Sequence, residues 1–126
     1  MNVPADIIVV DDNKDISALL KTVLELSGHS ASICHDKQTL INTLSVYHPQ
    51  LIVMDLMLGN DDGRDLCRLL KTDAGTNLIP ILMISAHPDA GQSCLDAGAS
   101  AFLEKPFEMD ELLDQARVLL TKAASL

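Results

Sequence analysis

The sequence predicts an α/β fold with a doubly wound parallel sheet, on three observations. Five short apolar runs alternate along the chain with segments in which apolar residues recur at helical spacing. The runs are apolar throughout instead of alternating apolar with polar, as expected of parallel strands covered on both faces. Each run gives way to a turn or cap residue, and right-handed crossovers then leave only a few topologies, of which the doubly wound sheet is the simplest.

The first run, Ile7–Val10, is β-branched and stops at Asp11. Ile16, Leu19, Leu20, Val23 and Leu24 then mark a helix that Asp12 or Asn13 can cap and Gly28 can end. Ser30–Cys34 is a weaker strand. Asp36 can cap a second helix with Leu40, Ile41, Leu44 and Tyr47 on one face, and Pro49 follows its end. Leu51–Met54 is the third strand and ends at Asp55. The turn-rich stretch Gly59–Gly63 precedes a helix carrying Leu66, Leu69 and Leu70, and Asp73–Pro80 is a loop. Ile81–Ile84 is the fourth strand, ending at Ser85, and a shorter helix over Asp89–Ala97 ends at Gly98. Ala101–Leu103 is the fifth strand, and the last helix carries Leu112, Leu113, Ala116, Leu119 and Leu120. No repeat, linker or low-complexity segment interrupts this series, so residues 1–126 are expected to form a single domain.

Composition narrows the function. A chain of 126 residues, 48% of them hydrophobic, can bury a core without a disulfide or metal staple. A net charge of -9 repels phosphate backbones and anionic lipid, which argues against direct nucleic-acid or membrane binding. Three aromatic residues, Tyr47, Phe102 and Phe107, provide no platform for stacking bases. Cys34, Cys67 and Cys94 show neither CxxC nor zinc-ligand spacing and read as small buried side chains in a reducing compartment, hence a cytoplasmic location. The N-terminus lacks the basic segment and apolar run of a signal peptide, and no apolar stretch approaches the length of a membrane span. His29, His35 and His48 read as surface residues, whereas His87, two residues past Ser85, lies close enough to the candidate site to affect water access. Met54 and Met57 read as packing residues.

In an open parallel sheet the ligand site lies at the carboxyl ends of the strands. Strand one ends in Asp11 and Asp12, strand three in Asp55 and strand four in Ser85, while strand five leads to Lys105 and Pro106. Taken singly, each has a plain structural explanation as a turn residue, a cap or a solvated lysine. Gathered at one edge, three carboxylates repel each other and need a cation. Mg²⁺ suits them, because it takes oxygen ligands and keeps several waters. A carboxylate beside a hard cation, a lysine and a hydroxyl is equipped to handle a phosphoryl group.

With these pieces in place the chain resembles the response regulator receiver family of two-component signalling, over essentially its whole length. The resemblance rests on Asp11-Asp12, Asp55, Asp62-Gly63, Ser85-Ala86, and Ala97-Gly98-Ala99 leading to Lys105-Pro106-Phe107, in that order and spacing. It implies a flavodoxin-like (βα)5 fold with strand order 2-1-3-4-5. It implies Asp55 as phosphoacceptor, with Mg²⁺ bound directly by Asp12, Asp55 and the carbonyl of Met57 and through water by Asp11. Lys105, the Ser85 hydroxyl and the Ala86 N–H would serve the phosphoryl group, and the Lys105–Pro106 peptide would be cis. Ser85 and Phe102 would relay the change to a face formed by the fourth helix, fifth strand and fifth helix.

The implied partner is a histidine kinase or histidine phosphotransfer protein, and the resemblance also allows a phosphorylation-dependent dimer. Such a chain is a switch and not an enzyme beyond its own phosphorylation and dephosphorylation. Two other settings remain open at this point: a receiver module from a hybrid kinase or longer regulator, and a small hydrolase using an aspartyl-phosphate intermediate. The lack of a cap domain speaks against the hydrolase. A degenerate receiver acting only as a scaffold is opposed by the intact set of Asp11, Asp12, Asp55, Ser85 and Lys105.

Three departures from the family pattern stand out. Gly59 occupies a position where proline is frequent, which should loosen the loop after Asp55. Phe102 stands where an aromatic switch residue sits, but lacks a hydroxyl. The segment between Ser85 and Lys105 is shorter than usual by roughly half a helical turn, which shortens the fourth helix.

Overall fold

A computed structural model describes residues 6–124. Its main elements are β1 (Ile7–Val10), α1 (Lys14–Leu26), β2 (Ala31–Cys34), α2 (Lys37–Leu44), β3 (Leu51–Asp55), α3 (Gly63–Thr72), β4 (Ile81–Ser85), α4 (Ala90–Asp96), β5 (Ala101–Glu104) and α5 (Met109–Ala124). The five strands form one sheet in the order β2-β1-β3-β4-β5. Every neighbouring pair is parallel, with Ile7 in register with Ala31 and Leu51, Ile52 with Ile81, and Leu82 with Ala101. The doubly wound architecture and the expected strand order are both present.

The period of two along each strand divides the core. Ile8, Val10, Ile52, Met54, Ile81 and Met83 point to one face and pack against Leu40 of α2, Leu66 and Leu70 of α3 and Cys94 of α4. Ile7, Val9, Leu51, Val53, Leu82 and Ile84 point to the other and meet Leu20 and Leu24 of α1 and Leu112, Ala116 and Leu119 of α5. With both faces covered, β1 is fully buried along its length and β4 nearly so. The strand ends therefore sit in a rigid frame.

Local chemistry starts the helices. Asn13 accepts from the Ile16 N–H at 3.0 Å, Asp36 from the Thr39 N–H at 2.7 Å and Asp62 from the Arg64 N–H at 2.8 Å. Asp89, before the seven-residue α4, makes no such bond.

Three details differ from the expectations. Regular helix α2 stops at Leu44 instead of reaching Tyr47, although the turn runs on with the Tyr47 N–H donating to the Thr43 carbonyl at 3.2 Å; Tyr47 packs against the same core as Leu40 and Leu44, and its hydroxyl lies 3.1 Å from Ser32 Oγ of β2. His29 is half-buried, whereas His35 and His48 are exposed as expected. The stretch after Asp55 is not loose: Met57–Leu58 and Asp61–Asp62 pair as a small antiparallel hairpin. Gly59 sits at φ 62° as the first of its two loop residues, the left-handed conformation that such tight hairpins require.

Gly63 locks this hairpin to the sheet. Its N–H donates to the Leu56 carbonyl at 2.6 Å, and a β-carbon there would lie 2.6 Å from the Asp55 carbonyl oxygen and 3.1 Å from Leu56 Cα. Gly63→Ala is therefore expected to destabilise the protein by about 1–3 kcal/mol, the usual range for forced overpacking. Urea unfolding at unchanged m would measure it, and a variant as stable as wild type would show that the contact is easily relieved.

Candidate functional site

The carboxyl ends of β1, β3, β4 and β5 open onto one edge of the sheet. Asp11, immediately after β1, is only 2% exposed, and its Oδ1 accepts the Asn13 N–H at 2.9 Å. That bond fixes the turn into α1, which Asn13 then caps. Asp12 is exposed, and its Oδ2 accepts the Gly59 N–H at 2.9 Å. Asp55 is the last residue of β3, with its side chain 13% exposed. Each of Asp11, Asp12 and Asp55 offers a carboxylate oxygen, and these oxygens lie within 4.8 Å of one another.

Lys105 Nζ stands 3.6 Å from Asp55 Oδ1, an ion pair rather than a hydrogen bond at that length. The backbone of Lys105 is held against β4, where its N–H donates to the Ser85 carbonyl at 2.8 Å; its peptide bond to Pro106 is cis. Ser85 is buried, and its Oγ accepts the His87 N–H at 2.9 Å. Asp55, Met57, Ser85, Ala86, His87 and Lys105 line a cleft of about 400 Å³. Met57 is 60% exposed at the rim, so its side chain is not the packing residue its sequence context suggested. Phe102 is outside the cleft; it is half-buried on β5 and packs over Gly91 of α4.

One lysine does not neutralise three acids. Burial pushes the Asp55 carboxyl above its ordinary range; Lys105 pulls it back, and Asp11 and Asp12 push it further up. Burial likewise raises Asp11, against the Asn13 N–H and Lys105, with Asp12 adding to the rise. Crowded oxygen donors, two of which, Asp11 and Asp55, hold their protons too tightly, form a set that a cation can relieve. All the donors are hard, so a divalent oxygen-seeking ion such as Mg²⁺ fits them.

Two features escaped the sequence reading. The Gly59 N–H bond to Asp12 spans 47 residues, and nothing local announces it. Arg64 grips Asp62 through Nε and Nη2, at 2.6 Å for the shorter contact, and reaches Ser93 Oγ of α4 at 3.0 Å. In the sequence the Gly59–Gly63 stretch marked only a turn before a helix, and the reach of Arg64 to α4 is a tertiary contact.

Known proteins share the sequence pattern and the fold of this chain. The sequence model of the family described as response regulator receiver domain matches residues 7–117. The chain is 34% identical over 121 residues to the response regulator MprA of Mycolicibacterium vanbaalenii, covering 94% of this chain and 52% of the relative. It thus spans about half the length of the curated relatives it matches. The receiver domain of NtrX from Brucella abortus superposes with a TM-score of 0.85 at 32% identity, over 92% of this chain and 98% of that one. The signal receiver domain of a signal transduction histidine kinase from Syntrophus aciditrophicus gives a TM-score of 0.86 at 27% identity, over 94% and 92%.

The raised Asp55 carboxyl has a consequence for stability. A carboxyl whose folded pKa lies above its unfolded value lends stability that is complete below the unfolded value, about 3.9, and is lost as pH rises through the folded one. Asp55→Asn should therefore melt higher than wild type in cation-free buffer at pH 8, by on the order of 3 °C, and the gain should shrink towards pH 5. Calorimetric scans at the two pH values decide it, and a gain that grows on acidification would contradict the assignment.

Proposed function

The chain belongs to the response regulator receiver family, and we propose that it is a phosphorylation-driven switch in which Asp55 takes up the phosphoryl group. Membership in that family implies phosphorylation-dependent signalling. The observation that carries the assignment is the position of Asp55: it ends the central strand β3, faces Lys105 and forms part of the cleft with Ser85 and Ala86.

A histidine kinase or histidine phosphotransfer protein would supply the group. An Asp55 carboxylate oxygen would attack phosphorus in line, forming the O–P bond as the N–P bond to the donor imidazole breaks, and the departing nitrogen would keep the electron pair and take a proton. Lys105 is 3.6 Å from the attacking carboxylate and would meet the developing charge on the phosphoryl oxygens. The Ser85 hydroxyl and Ala86 N–H, lining the same cleft, would hold those oxygens after transfer. Asp12, Asp55 and the Met57 carbonyl would bind Mg²⁺ directly and Asp11 through water. The ion would supply positive charge that offsets repulsion between the acidic edge and the incoming group.

Output would run through Ser85 and Phe102. Drawing the Ser85 hydroxyl towards a phosphoryl oxygen vacates space behind it and biases Phe102, which already packs over α4, towards a more inward position. A phenylalanine loses no hydroxyl hydration on burial, so this inward state is populated in part before phosphorylation. The readout would be the α4, β5 and α5 face, offered to an effector or a second copy of the chain. The chain matches half the length of regulators such as MprA and most of a receiver described from a histidine kinase. Such matches to signalling proteins favour a switch over the small-hydrolase reading, and turnover would be confined to the chain's own phosphate.

Acetyl phosphate with Mg²⁺ should label the protein once, and intact mass spectrometry should find Asp55→Asn unlabelled; equal labelling of that variant would remove Asp55 from the role. The exposed Met57 side chain at the cleft rim offers no strong hydrogen bond to orient an attacking water. The acyl phosphate is thus expected to decay faster in Met57→Asn than in wild type when followed by loss of the phosphorylated mass. Slower decay would contradict this account.

A further inference from the structure

We infer that Gly59 is a positioning residue of the acidic edge: its backbone N–H sets the Asp12 carboxylate for cation binding. The inference rests on the reading of Asp11, Asp12 and Asp55 as a Mg²⁺ site. Asp12 is exposed, at the start of the turn after β1, and a side chain in that position would exchange between rotamers. The Gly59 N–H at 2.9 Å from Oδ2 holds it instead. An ionised carboxylate has about four acceptor sites, so this single bond leaves Oδ1 and further lone pairs for a metal.

The donor is itself held in place. Gly59 opens the two-residue loop between Leu58 and Asp61, which pair across the hairpin. As a loop residue it lies outside the paired positions of the hairpin, its N–H goes to Asp12, and its φ of 62° is a conformation that glycine adopts without strain. A proline would lack the N–H and would fix φ near −65°. Behind the loop, the Gly63 N–H bond to the Leu56 carbonyl and the capping of α3 by Asp62 anchor both hairpin strands. The small hairpin therefore works as an arm of the site, carrying one outer-shell donor to a ligand 47 residues away in sequence. Hydrogen bonds to ligating carboxylates generally matter to metal affinity by about 10–100-fold.

The test replaces Gly59 by glycolic acid in the full chain, prepared by ligation, which exchanges the N–H for an ester oxygen and leaves the turn free of a side chain. Mg²⁺ is titrated by calorimetry into wild type, this ester chain and Asp12→Ala. About tenfold weaker binding by the ester chain is expected, with Asp12→Ala losing measurable affinity. Unchanged or tighter binding by the ester chain, beside normal wild-type binding, overturns the inference alone. Absence of binding by wild type defeats the reading of the site and the inference with it. Should the ester chain not fold, amide exchange in the unmodified protein decides: the Gly59 N–H is expected to exchange at least about tenfold faster in Asp12→Ala than in wild type, and equal rates overturn the inference.

Discussion

Three carboxylates held with oxygens inside 4.8 Å of one another, against a single lysine, set the terms for the rest of the molecule. Two half-buried negative charges at that separation repel by roughly 3 kcal/mol at an effective dielectric of about 20. A flexible chain would relieve this by letting the strand ends drift apart. This one does not, because the strands that carry the acids are fixed from behind. Val10 and Met54 stand side by side in the register just before Asp11 and Asp55, and both are wholly buried. The core that stabilises the fold is thus the same structure that keeps the acids crowded.

The remaining polar contacts at that edge each steady one member of the set. Asp11 is tied to the Asn13 N–H and Asp12 to the Gly59 N–H, while the backbone of Lys105 is held by its bond to Ser85. None of these bonds neutralises the excess negative charge. They fix where it sits, which is what a site for a cation and a charged group requires: preorganised ligands, with the balancing charge left to arrive from outside.

Much of this was legible in the sequence because it follows from local rules. Apolar runs such as Ile7–Val10 and Ile81–Ile84 mark buried parallel strands at once, and a polar residue directly after such a run must emerge at the sheet's ligand-binding edge. Asp11, Asp12, Asp55 and Lys105 could therefore be grouped before any coordinates existed. What stayed hidden was non-local or depended on backbone sign. The sequence marked Gly59 as a breaker, and the natural expectation was a loosened loop. Its positive φ instead closes a hairpin, and only the tertiary arrangement brings its N–H to Asp12. Met57 looked like a packing residue because methionine usually is one, yet two residues past the strand end it has already left the core. Tyr47 fitted the face of α2 by periodicity and does pack against the core beside Leu44, but the regular helix ends before it.

The edge is also where the sequence stops agreeing with the fold. The described buried polar side chains have partners throughout, and away from the edge the strands and caps favour the same structure. Charges that are buried, alike and only partly compensated break that consistency, and such breaks belong at functional positions, where stability is given up for reactivity. The surrounding connections suit such a role. From the hairpin beside Asp55, Asp62 holds Arg64, and Arg64 holds Ser93 on α4; from the other side of the cleft, Ser85 ends the strand next to the one carrying Phe102, which packs over the same helix. Helix α4 has seven residues and no side-chain cap of its own, so less holds it internally than holds any other helix with a described cap. In the proposed switch, a helix fixed mainly by its neighbours is the one whose position a change of charge at Asp55 would alter most cheaply.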